Sequence, residues 1–148
     1  MNLGFVVNDI GNSERNYKLL KLIDKIPDKN NDIIPYIFFQ NIAPPAVEPS
    51  CLMMNILGIT NFSGKVVAMD LESAQVVLNN NANTENWLFL WDLPWLHNVI
   101  NYVSCLDILK NFNLIVRSEE HKLIIENYTG SNNIYLVKDM DDLLTCLT

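Results

Sequence analysis

The residues best suited to bind a ligand form a short run, Arg117-Ser118-Glu119-Glu120-His121, directly after an apolar segment. Ser118 can open a helix whose first amides attract an anion. Arg117 can add a bidentate phosphate contact. Glu119 and Glu120 work against this, because they already satisfy the helix dipole and repel a phosphate. Capping is therefore weighed slightly above ligand binding for this group. A second polar run, Asn8-Asp9-Ile10-Gly11-Asn12, follows the first apolar segment. A dinucleotide-binding loop needs G-x-G-x-x-G, so that backbone can approach a pyrophosphate. Only Gly11 is present, and no Walker-type loop occurs anywhere. A turn plus a helix cap is favoured over a ligand loop for Asn8, Asp9, Gly11 and Asn12 by roughly two to one.

Asp70, Asp92 and Asp139 each follow an apolar segment. A helix cap is the plain role for Asp70 and Asp139. Asp92 stands between Trp91 and Pro94-Trp95, where a carboxylate beside indoles could contact a sugar. Aromatic residues in such a segment more often build core. His97 reads as a first-turn helix residue and His121 as a packed or exposed one. No G-x-S-x-G elbow is present, so no Ser-His-Asp triad can be argued. A receiver-like phosphoacceptor would use Asp70, with Asp9 as metal ligand and Lys138 nearby. It would also want an acidic pair after the first strand, and only Asp9 follows Asn8.

The elements that must position these groups alternate along a chain of 148 residues. Strands are expected at Leu3 to Asn8, Ile33 to Gln40, Lys65 to Met69, Trp87 to Trp91, Phe112 to Val116 and Ile134 to Val137. A helix capped by Asn12 or Ser13 should carry Tyr17, Leu20 and Ile23 on its apolar face and end at Pro27. Pro35 belongs near a strand start or on an edge. After a proline-stiffened loop, Ser50 through Phe62 reads as an apolar helix. Further helices follow Asp70, run from His97 to Lys110, extend from Glu119 to Tyr128 before Gly130, and run from Asp139 to Leu147. Asn79 to Asn86 reads as a loop. Strict alternation without hairpin signals argues for βαβ units. The expected fold is α/β: one domain over residues 1–148, three-layer α/β/α, Rossmann-like, with a mostly parallel six-stranded sheet. Ligands of such folds bind at the carboxyl ends of the strands. That places Asn8, Asp9, Gly11, Asn12, Asp70, Asp92, Arg117, Ser118 and Glu119 in the candidate set.

Composition narrows the partners. There are 10 basic and 17 acidic residues, a net charge of -7, and the only arginines are Arg15 and Arg117. Nucleic-acid binding draws on clustered cations, so it is not expected. No apolar run approaches the ~20 residues of a membrane span. The N-terminus has no basic lead-in of a signal peptide, so it is read as mature. Cys51, Cys105 and Cys146 are odd in number, widely spaced and in segments that look helical, which fits reduced thiols in a cytoplasmic protein. His97 and His121 fall short of a zinc signature. No metal or cofactor is expected. The 21 asparagines suit an AT-rich genome, such as that of a bacterium or phage.

Two segments, Trp87-Leu88-Phe89-Leu90-Trp91-Asp92-Leu93-Pro94-Trp95-Leu96 and Leu114-Ile115-Val116-Arg117-Ser118-Glu119-Glu120-His121, resemble parts of a GT-B-type glycosyltransferase. The second is similar to a strand and Ser-capped helix that contact a nucleotide-sugar in that family. Small proteins of this kind occur in marine phages. The resemblance covers about half the chain and implies one of the two Rossmann-like domains of such an enzyme. The Glu-x7-Glu pair of many retaining members is not met, since Glu126 and Asn127 stand seven and eight residues after Glu119. Chemistry would then need a partner domain or a dimer cleft. The alternative is a non-catalytic interaction module, such as a homodimer, motivated by the three tryptophans and the segment Ala43 to Pro49.

Overall fold

A computed structural model describes residues 1–80, 83–96 and 102–148. Its strands are β1 (Asn2–Val7), β2 (Ile34–Phe39), β3 (Leu52–Asn55), β4 (Ser63–Ala68), β5 (Asn83–Leu90), β6 (Asn113–Val116) and β7 (Ile134–Leu136). They form one seven-stranded sheet in the order β3-β2-β1-β4-β5-β6-β7. Every neighbouring pair is parallel. The helices are α1 (Glu14–Lys29), α2 (Leu71–Asn79), α3 (Tyr102–Lys110), α4 (Glu119–Thr129) and α5 (Leu143–Leu147). The order runs outward from β1 to β3 on one side and from β4 to β7 on the other. It reverses between β1 and β4, as in a Rossmann fold.

Both sheet faces are buried. Leu3, Phe5, Val7, Val67 and Phe89 face α1 and α5. Val6, Val66, Leu88, Leu90 and Leu114 face α2, α3 and α4. A strand covered on both sides must be apolar at successive positions, which explains the unbroken runs in β1, β4 and β5. This is the expected three-layer α/β/α architecture, with one more strand than the pattern suggested. None of the helices described is long and apolar enough to cross a membrane.

The seventh strand comes from Ser50 to Phe62. Instead of a helix, this segment forms β3 and then a 3-10 helix, Ile56–Asn61. A short apolar run is compatible with either state. Here the open backbone edge of β2 decides, because β3 fills it from Tyr36↔Leu52 to Phe39↔Asn55. Cys51 accordingly precedes a strand and is not helical. Pro35 is the second residue of β2, ahead of the β3 pairing, where its missing N–H costs least.

Other boundaries differ in the described residues. Helix α1 passes through Pro27 to Lys29, and the Asn30 amide closes it by donating to the Ile26 carbonyl. Proline is tolerable there because only one bond of the last turn is lost. The buried stripe of α1 is Asn16, Leu19, Leu20, Leu22, Ile23 and Ile26, while Tyr17 is exposed. Strand β5 starts at Asn83, inside the expected loop, because it pairs with β4 from Ser63↔Asn83 onward. Its polar start is held by Thr84 donating to Asn86 at 2.5 Å and by the 3.6 Å Lys65–Glu85 ion pair. The helix expected from His97 is described from Tyr102; His97 itself lies outside the described residues. Asp139 caps a 3-10 turn, Met140–Asp142, that leads into α5. Lys25 meets Asp141 at 2.7 Å, tying α1 to that turn.

Candidate functional site

The first turn of α1 is built to do two things. Ser13 Oγ accepts from the Asn16 amide at 3.1 Å and starts the helix. Asn16 then points inward, and its Nδ2 donates to the carbonyls of Asp9 at 3.0 Å and Gly11 at 2.9 Å. That fastens the β1–α1 loop. Arg15 and Lys18, three residues apart, share the neighbouring face of the helix.

Arg15 reaches the point where strand order reverses. Its Nη1 donates to the Met69 carbonyl at 2.9 Å and lies 3.4 Å from Asp70 Oδ2, just past the end of β4. The other oxygen of Asp70 accepts from the Ser73 amide at 2.8 Å and caps α2. Asp70 is thus the expected cap and also an ion-pair partner. One strand further, Trp91 follows β5 and Arg117 follows β6, level with each other beyond the Leu90↔Val116 pairing. The Arg117 guanidinium lies 3.7 Å from the Trp91 ring centroid, and its Nη1 donates to the Trp91 carbonyl at 3.3 Å. Lys18 Nζ is 5.6 Å from the same ring and 3.3 Å from Glu14. Trp91 packs with Phe89 against the core on the α1 face, so this cluster lies on that face.

Both arginines of the chain therefore lie at the carboxyl ends of β4 to β6, Arg15 at the end of β4 and Arg117 on Trp91. Lys18 joins them, and Asp70 and Glu14 offset part of the charge. Stacking suits guanidinium on indole, and it leaves the in-plane N–H donors other than the bonded Nη1 off the ring face, where an anion can reach them. The sequence run around Arg117 pointed to one of these cations. Arg15 and Lys18 were missed as site residues. The available signal was their i, i+3 spacing at the start of the helix that follows β1.

The remaining expected residues separate from this cluster. The β1–α1 loop is closed by the chain itself. Asp9 Oδ1 takes the Gly11 amide at 2.7 Å, the donor a pyrophosphate would need. The Asn8 carbonyl accepts from the Gln40 and Asn41 amides, and Asn41 Nδ2 donates to Asn8 Oδ1 at 2.8 Å. A Cβ on Gly11 would come within 3.1 Å of Ala43 Cβ, so the loop after β2 lies directly against it. Asn12 is exposed, and Ser13 is the cap. Ser118 Oγ accepts from the His121 amide at 3.1 Å and caps α4, while Glu119 is exposed in the first turn. The contacts of Arg117 go to Trp91. Asp92 is half-buried, but Trp91 and Trp95 do not form one platform around it. Trp95 meets Tyr128 edge-on at 5.2 Å on the opposite face of the sheet.

A receiver-like site is not assembled. Lys138 follows β7, three strands from β4, which at about 4.8 Å per strand is on the order of 14 Å away. Asp70 is already occupied by the Ser73 amide and Arg15. Thiol chemistry is also disfavoured. Burial, with Asp24 adding to it, pushes the Cys51 thiol up to about 11, and burial raises Cys105 and Cys146 as well. Reactive cysteines show the reverse. Among the described residues, no cluster of His, Cys, Asp and Glu could hold a metal ion.

The chain matches no known protein-family model, and no curated protein is significantly similar to it. Function is therefore read from the site's geometry.

Proposed function

We propose that this chain is a glycosyltransferase-like ligand-binding domain that takes the phosphorylated part of a nucleotide-sugar at the rim formed by Arg15, Lys18 and Arg117. One observation carries the reading. In a chain of net charge -7, Arg117 and Lys18 flank the Trp91 ring after β5, and Arg15, the only other arginine, lies at the end of the adjacent strand β4. That rim is where open α/β sheets bind ligands. Arginine forks match phosphate oxygens, and an indole edge suits a base or sugar. The loop after β1 takes no part, since its key amide is internally bonded.

The role proposed is binding. In the two-domain enzymes that the sequence resembles, the active site lies between two domains, so a second domain or a second copy would supply the opposite wall. The resemblance also motivates a phage or marine source. Three free thiols suit a reducing compartment such as the cytoplasm.

Thermal unfolding against a panel of UDP-, GDP- and CMP-sugars tests the reading. At least one member should raise the midpoint in a dose-dependent way, as any ligand of the folded state must. The same ligand should raise it less in Arg117→Ala. A flat response across the whole panel rejects the proposal.

A further inference from the structure

Far from the cationic rim, the opposite edge of the sheet ends in β3. Among the described residues this strand pairs with β2 alone, and all four of its residues are exposed. Leu52, Met53 and Met54 are 55%, 37% and 42% exposed, and Leu57 just beyond is 71% exposed. Leu52 and Met54 lie on the side of Tyr36 and Phe38, where a cavity of about 230 Å³ opens beside Met54. Met53 lies on the other side, level with Ile37. The edge is thus apolar on both faces. Natural edge strands are commonly guarded by charge, above all lysine. Here the only charged residue from Ile33 to Gly64 is Glu48, in a chain with 10 basic and 17 acidic residues.

We infer that β3 is a self-association edge, whose occupant is β3 of a second copy of this chain. Charge selects that partner. Two chains of net charge -7 repel overall, so a neutral surface lets them approach at less electrostatic cost than an acidic one, and this edge is neutral. A basic, acidic or nucleic-acid partner would find no counter-charge along it. Register points the same way. A two-fold axis perpendicular to the sheet keeps each face on its own side, so only residues of like parity can oppose. Centred on Met53, the antiparallel pairing sets Met53 against itself and Leu52 against Met54 of the second copy. Each of these cross-strand pairs is apolar. Centred on Met54, it would set Met53 against Asn55. The union turns two seven-stranded sheets into one. Four strand residues fall short of the roughly 800 Å² per partner of a standard interface. Exposed Ile34 in β2 and Leu57 just after β3 widen the apolar patch, and the expected affinity is micromolar.

Sedimentation equilibrium over a concentration series on the full chain reads the inference. The wild type should pass reversibly from monomer to dimer. Met53→Lys puts two ammonium groups opposite each other at the axis and should weaken dimerisation at least about tenfold. Since Met53 is exposed, the variant's thermal midpoint should stay close to wild type, which separates lost pairing from lost folding. Met53→Cys should form a disulfide-linked dimer under mild oxidation, because Cα atoms of directly opposed antiparallel residues are about 4.5–5.5 Å apart. The wild type, with three cysteines of its own, should not. A wild type that stays monomeric through the high-micromolar range overturns the inference. So does a dimer that survives Met53→Lys, or a Met53→Cys chain that does not cross-link.

Discussion

The Arg117 guanidinium stacks 3.7 Å from the centroid of the Trp91 ring and also donates to that residue's carbonyl oxygen. The side chain after β6 is thereby held by the side chain and backbone after β5. Removing it should be felt twice. Arg117→Ala loses a partly desolvated cation–π contact, so stability should fall by about 1 kcal/mol. Arg117→Lys keeps the charge but loses the planar stack and fork, so it should rescue little. Denaturant midpoints and Trp fluorescence of the two variants check this; a fully restored lysine variant would contradict it.

Asn16 should matter to the fold more than its polarity suggests. It is buried and holds the Asp9 and Gly11 carbonyls with one amide group. Asn16→Ala leaves both acceptors without that donor, at an expected cost of about 2–4 kcal/mol. Urea denaturation measures it, and a loss below about 1 kcal/mol would mean that the β1–α1 loop is held by something else.

Gly64 and Gly130 both have positive φ, yet they should respond differently. At Gly64, φ is +145° and a Cβ would lie 2.4 Å from the Asn2 carbonyl oxygen, in the β1–β4 ladder. Gly130 ends α4 at φ +67°, and beyond its chain neighbours no atom of the described residues lies within 4 Å of its Cβ position. Gly64→Ala should therefore cost on the order of 2 kcal/mol or more, and Gly130→Ala about 1 kcal/mol. Equal thermal shifts for the two variants would refute the distinction.

Cys51 gives a pH dependence with a definite sign. Its folded value is about 11 against an ordinary 9.0, so the neutral thiol is favoured by folding. Below the unfolded value both states are protonated and Cys51 contributes no slope. Between the two values the unfolded chain ionises first, so stability falls as pH rises. Cys51→Ser should flatten that part of the stability curve. At pH 8 a thiol reagent should modify Cys51 about 100-fold more slowly than an unperturbed cysteine. Labelling at the ordinary rate would show that the thiol is not held in this way.

Much of the fold could be read from residues whose role is local. Ser13, Asp70, Ser118, Asp139 and Gly130 mark helix ends because capping chemistry acts within a few residues. What could not be read depended on distant partners. Leu52 to Asn55 is a strand because β2 offers it an edge, and Asn83 to Asn86 joins β5 because β4 lies alongside. The site divides in the same way. Arg117 stood out because it directly follows a strand. Arg15 and Lys18 join it only once α1 is laid across the ends of β4 and β5, a placement that strand order sets. Asn8, Asp9 and Gly11 read as a turn in preference to a ligand loop, but that the chain near Asn41 and Ala43 lies against them is a long-range contact no local pattern signals.

The ligand site proposed is the cationic rim around Trp91. Its most direct test is an NMR titration of the chain with the nucleotide-sugar that most raises thermal stability, reading backbone, indole and guanidinium N–H signals. Saturable shifts should be greatest at Arg15, Lys18, Trp91 and Arg117, and should be lost in Arg117→Ala. Shifts centred on Asp9 to Asn12, or no saturable shifts at all, would contradict this site.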